Sequence, residues 1–138
     1  MTDEQRRAFL LDGTRTAVLA TVRADGRPHA APIWFTLDGD DVVFTTSAPT
    51  VKGRNLQRTG WAALVVDDPI PPFRFVSISG PVEISADPDE KLRWATVLGT
   101  RYMGAELGAA FGRRNAVPNE LLVRLRPKKI IAEAGIAD

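Results

Sequence analysis

The chain has no cysteine. That excludes a disulfide framework, a thiolate nucleophile and any Cys-ligated zinc or iron–sulfur site. It has a single histidine, His29, so a multi-histidine metal site within one chain is not expected. An excess of charge of either sign is also missing. The 18 basic and 17 acidic residues leave a net charge of +1, which argues against a nucleic-acid binder that works by bulk charge. No run approaches the roughly 18 unbroken apolar residues of a membrane span. The polar start, Met1 to Arg7, has no apolar segment of the kind a secretory signal needs. A cytoplasmic protein with no membrane span and no nucleic-acid partner is the expectation.

What is present suits one globular domain over residues 1–138, with 44% hydrophobic and 25% charged residues. Thr2-x-x-Gln5 reads as a capping box opening a helix to Leu11, with Gly13 suited to its C-terminal cap. Thr16 to Arg23 is rich in β-branched residues and reads as a strand. The Asp25-Gly26 turn signals a hairpin into a second strand, Pro28 to Leu37. A turn at Asp38–Asp41 leads to a third strand, Val42 to Thr46, and short loops predict a three-strand antiparallel meander. Pro32 stands inside the apolar run Ala30–Phe35. It cannot donate to a ladder, so it implies an edge, a bulge, or backbone facing something else, such as a flat ligand.

Trp61 to Asp67 is a fourth strand and Phe73 to Ile84 a long fifth one, separated by the stiff loop Pro69–Phe73. Gly80-Pro81 suggests a bend that closes a barrel. Asp87-Pro88-x-Glu90 predicts a second capped helix, with Glu90 as the reciprocal cap and Leu92, Ala95, Thr96, Gly99, Tyr102 and Met103 on one stripe. Gly104-x3-Gly108-x3-Gly112 is either mobile or closely packed. Glu120 to Arg126 is the last clear strand, and Lys128 to Ala132 can resume pairing. About six strands, short turns and no α–β alternation predict a mainly β fold: a small antiparallel barrel with flanking helices.

The stretch from Phe44 to Leu56 draws the chemistry together. Thr45, Thr46, Ser47 and Thr50 place hydroxyls at a strand-to-helix junction. Pro49 fits the first helical position, and Lys52, Arg54 and Asn55 follow. The start of a helix presents free N–H groups and the positive end of its dipole, which suits an anion such as a phosphate. A capped surface helix with solvated cations has the same sequence. Elsewhere, no nucleophile–base constellation is visible. His29 follows a hairpin turn and suits a surface or interface position as readily as an acid or base. Tyr102 is either core or a proton donor. Arg113 and Arg114 are either solvated charges or contacts to an anionic group. Trp34 can stack near a ligand, pack in the barrel, or both. Trp61 and Trp94 read as structural.

Residues Thr16–Arg23, the turn Asp25-Gly26-Arg27-Pro28-His29 and the strand Ala31-Pro32-Ile33-Trp34-Phe35 resemble the first hairpin of the pyridoxamine-phosphate-oxidase-like split-barrel flavoproteins. More narrowly, they resemble the branch that uses the deazaflavin coenzyme F420. The likeness continues through Lys52-x-Arg54-Asn55-Leu56 and Arg74-Phe75-Val76, and it spans residues 14–132. It implies a split β-barrel of the FMN-binding, Greek-key kind, homodimeric, with two cofactor sites at the dimer interface. It places the cofactor phosphate on Thr45, Thr46, Ser47, Lys52, Arg54 and Asn55, and the ring against Pro32, Ile33 and Trp34. The implied activity is an F420H2-dependent reductase acting on a small unsaturated organic acceptor, in which the cofactor carries the hydride. An FMN-binding oxidoreductase of the same fold, a deazaflavin carrier or storage module, and a haem-binding relative are the alternatives. The Arg-rich C-terminal segment that the true oxidases use for pyridoxal is missing, so vitamin B6 oxidation is not expected. The loop Pro69–Phe73 and the segment Gly99–Gly112 are the expected walls of an acceptor pocket.

Overall fold

A computed structural model describes residues 1–138. Its elements, in chain order, are α1 (Asp3–Leu11), β1 (Ala17–Val22), β2 (Pro28–Ile33), β3 (Thr36–Asp38), β4 (Asp41–Ser47), α2 (Val51–Thr59), β5 (Trp61–Asp68), β6 (Arg74–Ser85), α3 (Pro88–Met103), α4 (Ala105–Asn115), β7 (Glu120–Leu125) and β8 (Lys129–Ala134). All strand pairs are antiparallel. The strands run in the order β2-β1-β5-β6-β7-β4-β3, with β8 added on β6. The sheet curls around a core that includes Phe9, Leu19, Phe35, Phe44, Leu56, Ile78 and Val123. No helix is long and apolar enough to cross a membrane.

The bend expected at Gly80-Pro81 is where β6 changes partners. Residues 74–81 pair with β5, and residues 82–85 pair with β7. A Cβ at Gly80 would run into the Arg126 carbonyl. The close approach lets Arg126 N–H donate to Pro81 O (2.9 Å) and Lys128 N–H donate to Ser79 O (2.9 Å). Glycine is therefore required there by contact rather than by turn conformation.

The three-strand meander does not form. The long second strand breaks after Ile33. Its first half pairs only with β1, and its second half returns as β3 to pair with β4. β2 and β4 thus lie far apart in the strand order. The break is stabilised by α3. Phe35 is fully buried, its N–H donates to Tyr102 Oη (3.1 Å), and its carbonyl accepts from Tyr102 Oη (3.1 Å) and Arg101 Nη1 (2.5 Å). Side chains supply the bonds a strand would have supplied, so leaving the ladder costs little. Of the options for Pro32, the edge is realised: its missing N–H faces no second neighbour.

Helix details differ from expectation in three places. α2 starts at Val51, two residues later than Pro49 predicts. Thr50 is the N-cap, accepting from Gly53 N–H (3.1 Å) and donating to Ser47 O (2.7 Å), and a cap that satisfies two groups outweighs proline's preference for the first helical position. At α3, Asp87 caps Asp89 N–H (3.2 Å), but Glu90 accepts from Ser85 Oγ (2.7 Å), and that hydroxyl accepts from Asp87 N–H (3.2 Å). Ser85 takes the reciprocal role assigned to Glu90. The buried face of α3 holds Lys91, Trp94, Ala95, Leu98 and Gly99, while Leu92 and Met103 are exposed. Trp61 also lies exposed, on the outer face of the sheet. The Gly104–Gly112 segment takes the closely packed alternative: it is α4, laid against α3.

Candidate functional site

The outer face of β4 and the start of α2 meet the roof made by α3 and α4 over a cavity of about 420 Å³. That volume lies within the roughly 300–1,000 Å³ of small-molecule sites. Pro32, Ile33 and Trp34 form one wall, Thr45 and Lys52 another, and Ala95, Leu98 and Gly99 the roof, with Thr16, Asn115 and Glu120 completing the lining. Pro32 and Trp34 are exposed and Ile33 buried. The Trp34 ring is stacked on Tyr102, with centroids 4.7 Å apart and planes 1° apart. That contact holds the indole at a fixed tilt beside the opening.

Lys52 is the second residue of α2. The first-turn amides of Gly53 and Arg54 are bonded to Thr50. Those of Val51 and Lys52 have no protein acceptor. Two free donors, the helix dipole and an ammonium group thus converge where β4 ends. Lys52 is engaged in no ion pair. Gly53 permits this compact turn, because a Cβ there would run into the Ser47 carbonyl and approach the Ala48 carbonyl within 2.8 Å.

Five of the nine residues named for cofactor contact therefore line one cavity: Pro32, Ile33, Trp34, Thr45 and Lys52. The other four are placed differently. Thr46 alternates with Thr45 and turns into the barrel, where its buried hydroxyl has no partner. Ser47 ends β4, half-buried. Arg54 and Asn55 border a second cavity of about 400 Å³ on the other side of α2, with Arg23, Val51 and Arg58. Asn55 is buried and donates to Thr21 Oγ1 (3.0 Å) while accepting from Arg58 Nη2 (3.2 Å), so it ties α2 to β1.

Tyr102 does not line the cavity. Its hydroxyl lies against Arg15 O (2.6 Å) and both backbone groups of Phe35, and burial pushes its pKa up. A phenol held in this way is a strut for the strand break. His29 is half-buried on β2 opposite Thr21, with an unpartnered Nδ1. Arg113 and Arg114 are exposed in the last turn of α4, the latter over the Phe111 ring at 5.6 Å. The Pro69–Phe73 loop packs against the C-terminal tail through Ile136 N–H to Phe73 O (3.4 Å) and Ala137 N–H to Pro72 O (3.0 Å). It contributes nothing to the cavity, whereas Gly99 does.

Three polar residues of the site carry no signal in the sequence: Thr16, just ahead of β1, Asn115 and Glu120. Asn115 reaches the cavity only because α4 folds back on α3. Glu120 is half-buried at the start of β7. Burial pushes its carboxyl above the usual range, and Thr45, Lys52 and Lys91 pull it part of the way back. Lys91, itself buried, donates to the Val117 and Glu120 carbonyls (3.0 and 3.2 Å) and so fixes the backbone from which Glu120 projects.

Comparison with known proteins agrees with this architecture. No curated protein sequence matches significantly. Among solved structures, the conserved hypothetical protein Rv2991 from Mycobacterium tuberculosis superposes with a TM-score of 0.86 at 24% identity, over 98% of this chain and 86% of that one. An F420 reductase superposes with a TM-score of 0.70 at 29% identity, over 90% and 94% of the two chains. HutZ, the haem storage protein from Vibrio cholerae, shares the fold with a TM-score of 0.75 at 17% identity, over the whole of both chains. The family described as pyridoxamine 5'-phosphate oxidase matches residues 2–133. The chain belongs to that family, with its split-barrel fold.

Proposed function

We propose that the protein is an F420H2-dependent reductase acting on a small unsaturated organic acceptor. The observation that carries this reading is the single cavity in which an apolar strand edge, Pro32–Trp34, faces the free amides and ammonium at the start of α2. A cofactor with a flat ring and a phosphate needs both surfaces a short distance apart. The 29% identity to an F420 reductase favours a deazaflavin over FMN. When bound, the reduced cofactor supplies the hydride. The chain's own residues do the rest. Pro32, Ile33 and Trp34 form the ring platform, and α3 excludes water from above. Thr45, Ser47, Lys52 and the Val51 and Lys52 amides hold the phosphate. Arg54 lies nearby for an anionic tail, and Thr46 and Asn55 support the junction from within.

Titrating the purified protein with each cofactor while following tryptophan fluorescence tests the assignment, since Trp34 lines the cavity. Quenching with a micromolar or tighter Kd for F420 and a weaker response to FMN is expected. Tight FMN binding with no F420 response would overturn it in favour of a flavin enzyme. Binding of F420 without turnover of any enone, quinone or tetrapyrrole acceptor would favour a carrier.

The working unit in this proposal is a homodimer. Val18, Val22, Trp61, Val65 and Ile131 are 37–47% exposed on one face of the sheet. Register makes them neighbours: Val18 opposes Val65, and Ser77 lies between Val65 and Ile131. A contiguous apolar face of this kind is more than scattered surface residues. Pro32 opposes Val18 and also lines the cavity, so a second copy seated on this face would border the opening. Sedimentation at micromolar concentration is expected to give a dimer, and Val18→Asp combined with Val65→Asp a monomer. A monomeric wild type would refute the interface.

A further inference from the structure

Glu120 is a carboxyl on the wall of a cavity otherwise built for an anion. It shares that cavity with Lys52 of α2, Thr45 of β4 and Asn115 of α4, and Lys91 of α3 stands behind it on the backbone carbonyl (3.2 Å). Thr16, ahead of β1, and Ser47, its cross-strand partner on β4, complete the polar groups around it, and Lys52 and Lys91 are the charged ones. Neither Glu120 nor Lys52 is held in an ion pair. The carboxyl thus makes no direct contact with the lysine, although it feels the ammonium charge, and an anion seated on Lys52 must share the cavity with it. Repulsion between like charges is stronger in a half-buried site than in water. It grows with the charge of the ligand. A phosphate monoester, with a second pKa near 6, carries about two charges at pH 8, whereas a diester carries one.

We propose that Glu120 is a charge filter, admitting a singly charged phosphate diester in preference to a doubly charged monoester and taking up a proton from solvent when an anion binds. The inference rests on the reading that Lys52 seats the phosphate. It adds a specificity determinant that distinguishes the diester of F420 from the monoester of FMN by charge, independently of the ring. Because a bound anion raises the proton affinity of a neighbouring carboxyl, binding couples to protonation and strengthens as pH falls.

The test uses the full-length protein and Glu120→Gln, with Kd for FMN and F420 read from tryptophan fluorescence at pH 5.5 and pH 8. The ratio of variant to wild type cancels the ligand's own titration. At pH 8 the substitution is expected to tighten FMN about tenfold and F420 about threefold, and at pH 5.5 both gains are expected to fall below about twofold. Unchanged FMN affinity at pH 8, or equal gains for both ligands, overturns the filter. Calorimetry in buffers of different ionisation enthalpy gives a second readout, in which protons taken up or released by the FMN phosphate itself are common to wild type and variant. Proton uptake on FMN binding at pH 7 by the wild type in excess of that by Glu120→Gln supports the proposal, and equal uptake overturns it. Failure of the underlying site reads out separately: Lys52→Ala leaving both affinities unchanged would remove the phosphate from this cavity altogether.

The same carboxyl leaves a signature in stability without ligand. Its folded pKa is raised, so the folded state binds more protons than the unfolded one between the ordinary glutamate value and the raised one. Its contribution is complete below the ordinary value and is lost as pH rises through the raised one. Glu120→Gln is expected to flatten that part of the stability profile.

Discussion

Lys52→Ala is expected to weaken cofactor binding by about tenfold or more, and Arg54→Ala by about threefold or less. A hydrogen bond to a charged group contributes roughly 1.5–3 kcal/mol, and about 1.4 kcal/mol is a factor of ten. Lys52 supplies such a bond into the cavity, and the Val51 and Lys52 amides survive its removal, so binding falls without vanishing. Arg54 is two residues further on, and residues two apart on a helix do not share a face. It borders the cavity on the other side of α2, where the tail of a long cofactor is its natural contact. Affinities measured by fluorescence for the two single variants decide the matter. Equal losses would mean that the phosphate bridges the first turn of α2, and no loss from Lys52→Ala would take the phosphate elsewhere.

That contrast shows what the sequence can and cannot reveal. Lys52-x-Arg54-Asn55 reads as one basic cluster. Helical periodicity alone divides it, sending Lys52 one way and Arg54 the other, with Asn55 turned inward to Thr21. The division was legible and needed only the helix boundary, which Thr50 rather than Pro49 sets. The Gly80-Pro81 bend, the Asp25-Gly26 hairpin and the Thr2 capping box were legible for the same reason: each is a local rule about backbone conformation or end groups.

The strand break at Trp34-Phe35 was not legible. An uninterrupted apolar run satisfies the strand pattern equally well, and the break is stabilised by Arg101 and Tyr102, more than 60 residues away along the chain. Glu120 was invisible for a related reason. A lone acid at the head of a strand is ordinary until a folded-back helix pair and a distant lysine surround it. Local chemistry fixed most elements, while the site depends on which distant side chains meet, and one sequence does not record that.

Gly112→Val is expected to lower stability by about 1–3 kcal/mol, the usual cost of overpacking a tight contact. α4 presents only Gly108 and Gly112 as buried residues. A Cβ at Gly112 would run into Thr96 Oγ1 and lie 3.0 Å from Thr96 Cα and Cβ, and one at Gly108 would meet Thr100 in the same way. The two helices touch through backbone and small side chains, and backbone cannot rotate aside. Against this, valine's better helix propensity recovers only a few tenths of a kcal/mol over glycine. The same branched side chain at exposed Ala109 costs propensity alone, about 0.6 kcal/mol, and is the control. Thr96→Ala removes the hydroxyl at the contact and is expected to recover a large part of the Gly112→Val loss, a coupling that a double-mutant cycle in urea measures directly. The consequence reaches the site. Asn115 of α4 and Gly99 of α3, which packs against Gly108 and Phe111, form part of the cavity lining. A displaced α4 carries Asn115 away and removes the support behind Gly99, so cofactor affinity is expected to fall with the stability of the helix pair while the barrel core stays intact. A Gly112→Val protein as stable as the Ala109→Val control, with undiminished cofactor binding, would show that α4 yields freely and that the cavity does not depend on it.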